Sequence, residues 1–102
     1  KPDITRIESL KISVKLLSKE EISTRKLPNQ ISGLVITNIE SDSPFNSLDI
    51  NNIIVEVQKK KIRSVQDLEK IIKSAIKSNQ KTILVAVYNN QNQRRYIGIK
   101  LD

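Results

Sequence analysis

Gly33–Val57, GLVITNIESDSPFNSLDINNIIVEV, carries the densest run of structural signals in the chain. It reads as strand, capped turn, strand. Leu34-Val35-Ile36-Thr37-Asn38-Ile39 is a short β-branched run opened by a glycine and too short for an ordinary helix. Glu40-Ser41-Asp42-Ser43 breaks it with side chains that hydrogen-bond their own backbone. Ser43-Pro44 is a helix-start signal, because Ser caps free N–H groups and Pro fits the first helical position. That helix is limited to about one turn by the next turn cluster, Asp49-Ile50-Asn51-Asn52, after which Ile53–Val57 is a second strand. Nothing in the stretch is chemically reactive, so it marks a scaffold.

The remaining composition narrows what that scaffold can do. At 102 residues the chain is one domain, 1–102, with room for a single modest core, and its apolar residues are concentrated in Ile, Leu and Val. There is no Cys, hence no disulfide framework, thiolate zinc site or cysteine nucleophile, and the chain suits either the periplasm or the cytosol. There is no His, which removes the commonest general base, the commonest metal ligand and any Ser-His-Asp triad within this chain. No catalytic residue, metal ligand or cofactor is therefore assigned. The net charge of +7 can recruit nucleic acid, anionic lipid or acidic protein, although such an excess is more often a solvated surface. No apolar run is long enough for a transmembrane helix or a signal-peptide core.

Working outward from the central stretch, residues 1–6 read as a tail or linker, and the opening Lys1-Pro2-Asp3 as the start of a segment of a longer protein. Leu10, Ile12, Val14 and Leu16 alternate with Lys11, Ser13 and Lys15, the period of a half-buried strand within Ile7–Leu17. Ser18 followed by Glu21 has capping-box spacing and predicts a short helix that ends before Pro28. Beyond Val57, Gln58–Arg63 reads as a hairpin tip with a short return. Ser64 then caps the strongest helix, in which Leu68, Ile71, Ile72, Ala75 and Ile76 form one apolar face. Thr82–Tyr88 and Arg94–Leu101 are strands around an Asn-rich turn, and Gly98 suggests a bulge or a close backbone approach. The order β-α-β-α-β-α-β-β predicts an α+β fold, a small, partly open barrel or sandwich. About five strands are capped by one main helix and one or two short helices.

With the elements in order, the chain resembles the PDZ domains of the Do-type (HtrA/DegP-like) bacterial serine proteases, most closely the last PDZ of such a protein. The resemblance rests on Gly33-Leu34-Val35-Ile36, Ser43-Pro44, Leu48, Asn51-Asn52-Ile53-Ile54, Ser64-Val65-Gln66-Asp67-Leu68 and Arg95–Leu101, an ordered set that runs from about Ser9 to Asp102. It implies a non-catalytic peptide-binding and regulatory domain with a trypsin-like protease domain upstream. The parent would be a periplasmic or membrane-associated endopeptidase of protein quality control. Extended or C-terminal peptides would add as a strand to a sheet edge. By resemblance the edge and loop fall at Leu10, Lys11, Ile12, Ser13 and Val14, and the facing wall at Val65, Leu68 and Ile72, with Ile71 beside them. The backbone N–H groups around Leu10–Ile12 would receive the terminal carboxylate. The implied partners are peptide or unfolded-protein segments and other domains or subunits of the parent oligomer, with no nucleic acid.

The chain departs from the family pattern at Lys11 in the carboxylate loop, at Asn51-Asn52 where the family has Gly-Asp, and in a shorter helix after Ser43-Pro44. Lys11 and Asn51 stand where the family has glycine, and a lysine adopts positive φ only at a conformational cost. The competing reading is a basic α+β domain that binds nucleic acid or an anionic membrane surface, prompted by Lys59-Lys60-Lys61 and Arg63. Against it, the only aromatic residues are Phe45, Tyr88 and Tyr96, none of them beside that run, so a solvated hairpin tip is the simpler account.

Overall fold

A computed structural model of the chain describes residues 3–101. Nine elements follow in order: β1 (Thr5–Ile7), β2 (Ile12–Leu16), α1 (Lys19–Thr24), β3 (Leu34–Ile39), β4 (Ile53–Val57), β5 (Lys60–Lys61), α2 (Val65–Lys77), β6 (Thr82–Tyr88) and β7 (Arg94–Lys100). The strands form one antiparallel sheet in the order β1-β2-β3-β4-β6-β7, with β5 attached to β4. The sheet stays open, and β1 and β7 are its two ends. This is the expected small α+β architecture. The strand count is higher than read from sequence because the Ile7–Leu17 run is broken and β5 is only two residues long.

The break has a local cause. Lys11 adopts φ 53°, and the amides of Leu10 and Lys11 both donate to Ile7 O, at 3.2 and 2.8 Å, closing a turn between β1 and β2. Leu10 is therefore a buried turn residue and not a strand residue. Of the tail expected over 1–6, residues 1 and 2 lie outside the described range, as does Asp102, while Thr5 and Arg6 belong to β1.

Both faces of the sheet are covered. On one, Leu34, Ile36, Ile54, Val57, Val85 and Val87 pack with Phe45 and with Leu68, Ile72 and Ala75 of α2. On the other, Val35, Ile53, Val55 and Ala86 pack under Leu17 and Leu27, near α1. Strands buried on both sides need near-continuous apolar runs, which is why β4 reads Ile-Ile-Val with no alternation. α2 ends in a Schellman motif. Asn79 is left-handed at φ 58°, Gln80 N–H donates to Ala75 O and Asn79 N–H to Ile76 O.

Two local expectations are corrected. Ser43-Pro44 starts no helix. The Ser43 hydroxyl caps only the Phe45 amide, and the chain runs through successive turns into Asn51, because a single turn cannot repay the cost of nucleation. Gly98 makes neither bulge nor close approach: the β6–β7 register is continuous, and a Cβ there would meet Thr82 Cγ2 at an ordinary 3.5 Å. The close approach is at Gly33, where a Cβ would stand 2.6 Å from Ile54 O.

Truncating Leu68 to Ala removes a fully buried side chain of α2 and is expected to cost about 2–4 kcal/mol by chemical denaturation. Gly33→Ala forces β4 backbone aside and is expected to cost about 1–3 kcal/mol, whereas Gly98→Ala should fall below about 1 kcal/mol. Equal effects at the two glycines would contradict the packing described.

Candidate functional site

The turn between β1 and β2 is tied to the Glu40–Ser43 turn by four polar contacts. Arg6 donates to both Glu40 carboxylate oxygens, at 2.7 and 3.1 Å. Lys11 pairs through its Nζ with Asp42. The Lys11 carbonyl accepts from Glu40 N–H at 3.0 Å, and the buried Ser43 hydroxyl donates to Leu10 O at 2.6 Å. The half-charged clasp shows in the acid–base behaviour. The hydrogen bond from Arg6 holds the Glu40 carboxyl below its usual range, and that from Lys11 does the same for Asp42. Both positions that replace a family glycine keep the left-handed backbone, Lys11 at φ 53° and Asn51 at φ 75°. Asn tolerates that region readily; Lys11 is held there by the tertiary ties just described.

Beside this turn lies a groove of about 730 Å³, bounded by Glu8 and Ser9 on one side and by the outward face of α2 on the other. Ile72 reaches its floor and Ile76, 52% exposed, lies open along it, with Gln66, Glu69, Lys70 and Lys73 at the rim. The residues expected at a peptide site divide into groups. Leu10, Ile12 and Val14 are buried in the core beneath the turn, as are Leu68 and Ile72. Lys11 and Ser13 are half-buried, and Val65 is half-buried against the core. The Leu10 and Lys11 amides are engaged by Ile7 O. β2 has a neighbour on both edges, since β1 pairs across Ile12–Val14 and β3 covers the other side. The terminal strand on this side of the sheet is thus β1. Sequence reading missed Glu8, Ser9, Gln66 and Lys73 as groove residues; the only available signal was Ile76, the outermost member of the helix's apolar face.

Among the described residues, no group of three or more His, Cys, Asp or Glu side chains could hold a metal ion, and no helix is long and apolar enough to cross a membrane.

Because Glu40 and Asp42 titrate lower when folded, their contribution is fully present above the ordinary carboxylate pKa values and is lost as pH falls through the lowered ones. Stability measured by denaturation should fall between about pH 5 and pH 2. The Glu40→Gln/Asp42→Asn double variant should show a shallower fall over that range. An unchanged acid dependence would detach these carboxylates from the turn.

No family model matches the chain. Among curated proteins it is similar to a probable periplasmic serine endoprotease, DegP-like, from Bartonella henselae (strain ATCC 49882 / DSM 28221 / CCUG 30454 / Houston 1). The identity is 34% over 71 residues, covering 68% of this chain and 14% of that protein. Among solved structures it is similar to the HtrA-type protease AlgW with decapeptide. There the TM-score is 0.64 at 18% identity, over 89% of this chain and 27% of the other, a likeness of fold. The chain thus spans a small part of the length of the proteins it matches. Sequence similarity and fold agree with the motif order that ends in the β6–β7 hairpin: the chain is a PDZ-like domain of the HtrA/DegP protease type.

Proposed function

We propose that this chain is the non-catalytic docking module of a periplasmic, HtrA-like serine endopeptidase, where it engages extended peptide segments beside α2. The observation that carries this reading is the groove between the β1–β2 turn and α2, with Ile72 and Ile76 as its apolar surface. The left-handed backbone at Lys11 and Asn51 supports it, since the turn keeps its shape where glycine has been replaced. In this reading Glu8 and Ser9 frame one side and Ile72 and Ile76 the other, Lys11 and Ser13 continue the same turn and strand, Val65 opens the same helix, and Leu10, Ile12, Val14 and Leu68 hold those walls in place from the core. Peptide adds at the open edge of β1, or at β2 where β1 yields. Main-chain hydrogen bonds then give affinity, and apolar contacts along α2 give selectivity. The resemblance to proteases whose PDZ domains accompany a protease domain supports the absence of chemistry here, in keeping with a sequence that has no His and no Cys. The relative from Bartonella henselae, named as periplasmic, supports that compartment.

One observation favours a second reading, assembly with other domains or subunits. The Leu10 and Lys11 amides, which a terminal carboxylate would need, already donate to Ile7 O. A groove without a carboxylate nest suits an internal segment or a neighbouring subunit.

An amide chemical-shift titration with a C-terminally hydrophobic peptide and its amidated twin separates the two. Shifts at Leu10–Leu16 and along Val65–Ile76, lost on amidation, are expected for capture of a C-terminus. Shifts that survive amidation indicate internal segments, and none with either peptide leaves assembly as the function.

A further inference from the structure

A second concave surface lies on the other flank of α2, between that helix and β5, with a volume of about 590 Å³. Its walls carry Lys60, Lys61 and Arg63 on the hairpin side and Lys70 on the helix, and Ile71 lies among them. One carboxylate shares the groove, Asp67, and it accepts from the Arg63 amide at 2.9 Å as part of the helix start. Among the described residues the ion pairs are made by Arg6, Lys11, Lys15 and Arg94, and none involves these four cations.

The tip that presents the lysines is fixed in place. Gln58 and Lys59 form the two-residue loop between paired Val57 and Lys60, both at positive φ, 54° and 66°. That is the twist a tight hairpin demands, here built without glycine or asparagine. Gln58 anchors it: its amide donates to Leu84 O at 2.8 Å, its Oε1 accepts from Leu84 N–H at 2.8 Å, and its Nε2 donates to Gln80 at 3.1 Å. The run stays exposed at a hairpin tip, as the sequence reading has it, and its Lys60 and Lys61 also line a hollow that faces α2.

We propose that this groove docks an extended, acid-rich segment of polypeptide. Successive side chains of an extended chain point to opposite sides at ~3.3 Å intervals, so alternate carboxylates can reach the cations on both walls. Ile71 offers an apolar contact that a run of phosphates cannot use. The groove holds no aromatic ring for base stacking: Phe45 is buried, and Tyr88 and Tyr96 lie on β6 and β7. The cations line a hollow, whereas a flat bilayer is met by cations on a raised surface. Long-range attraction from the +7 chain would speed the encounter, and the local cations would select it. This surface shares only Lys70 with the groove lined by Glu8, Ser9 and Ile76, so changes on the hairpin wall test it independently.

The test uses the whole chain and a blocked oligoglutamate of about ten residues, acetylated and amidated so that no terminal carboxylate is present, long enough at ~3.3 Å per residue to span the groove. Amide shifts are expected at Lys60–Arg63 and Lys70–Ser74, with affinity that weakens as salt rises. The Lys60→Glu/Arg63→Glu variant, both sites being exposed and confined to this groove, should keep the thermal midpoint and lose at least about tenfold in affinity. A short DNA duplex and vesicles containing phosphatidylglycerol serve as competitors in kind. Tighter binding of either at the same residues overturns the assignment to acidic polypeptide. So does absence of binding at low salt, or an affinity that the double charge reversal leaves unchanged.

Discussion

β4 is the strand on which the rest of the molecule depends. It pairs with β3, β5 and β6, and its side chains enter both hydrophobic layers, Ile54 and Val57 on the α2 side and Ile53 and Val55 on the other. The alternation is shifted by an irregularity between Ile54 and Glu56, which adds a residue and swings Val57 back beneath the helix. Gly33 belongs to the same constraint, since its missing Cβ leaves room for the Ile54 carbonyl. Any change that moves β4 moves the hairpin tip, the floor under α2 and the strand that carries the β1–β2 turn.

The two surfaces on either flank of α2 follow from this frame. The helix buries Leu68, Ile72 and Ala75, leaving Gln66, Lys73 and Ile76 toward the β1–β2 turn and Ile71 and Ser74 toward β5, with Lys70 on the ridge between the two grooves. One helix therefore presents an apolar-floored groove and a cationic one. The chemistry separates them: the first offers Ile72 and Ile76 beside a strand end, the second offers charge held on two walls. At the far end of the sheet, Arg94 lies over Tyr88 and Tyr96, at 5.9 and 5.5 Å, and pairs with Glu56 at 2.9 Å, which ties that charge into β4.

The turn that separates β1 from β2 shows how tertiary contacts override residue preference. A lysine in the left-handed region is costly by itself. Here the amide of Lys11 donates to Ile7, its carbonyl accepts from Glu40, its ammonium pairs with Asp42, and Ser43 holds the preceding carbonyl. Enough is satisfied at once for the conformation to persist without glycine.

Sequence alone determined the elements with a strong local period or cap: α2 from its apolar face and Ser64, α1 from the Ser18–Glu21 box, β4, β6 and β7 from their β-branched runs. It also gave the α+β class, because the order of those elements permits few arrangements. Pairing was decided only by the tertiary structure. Alternation at Leu10–Leu16 says that one face is buried, and is silent on which strands flank it; β1 fills the β2 edge through a turn whose lysine no propensity would place there. The failure of Ser43-Pro44 to start a helix, and the irrelevance of Gly98, have the same source, for a cap or a glycine acts only through neighbours that arrive from elsewhere in the chain. Charge was likewise legible as a count and not as a place. Lys60, Lys61 and Arg63 became one wall of a groove because Gln58 bonds to Leu84 and Gln80, residues more than twenty positions away, whose proximity local sequence does not encode.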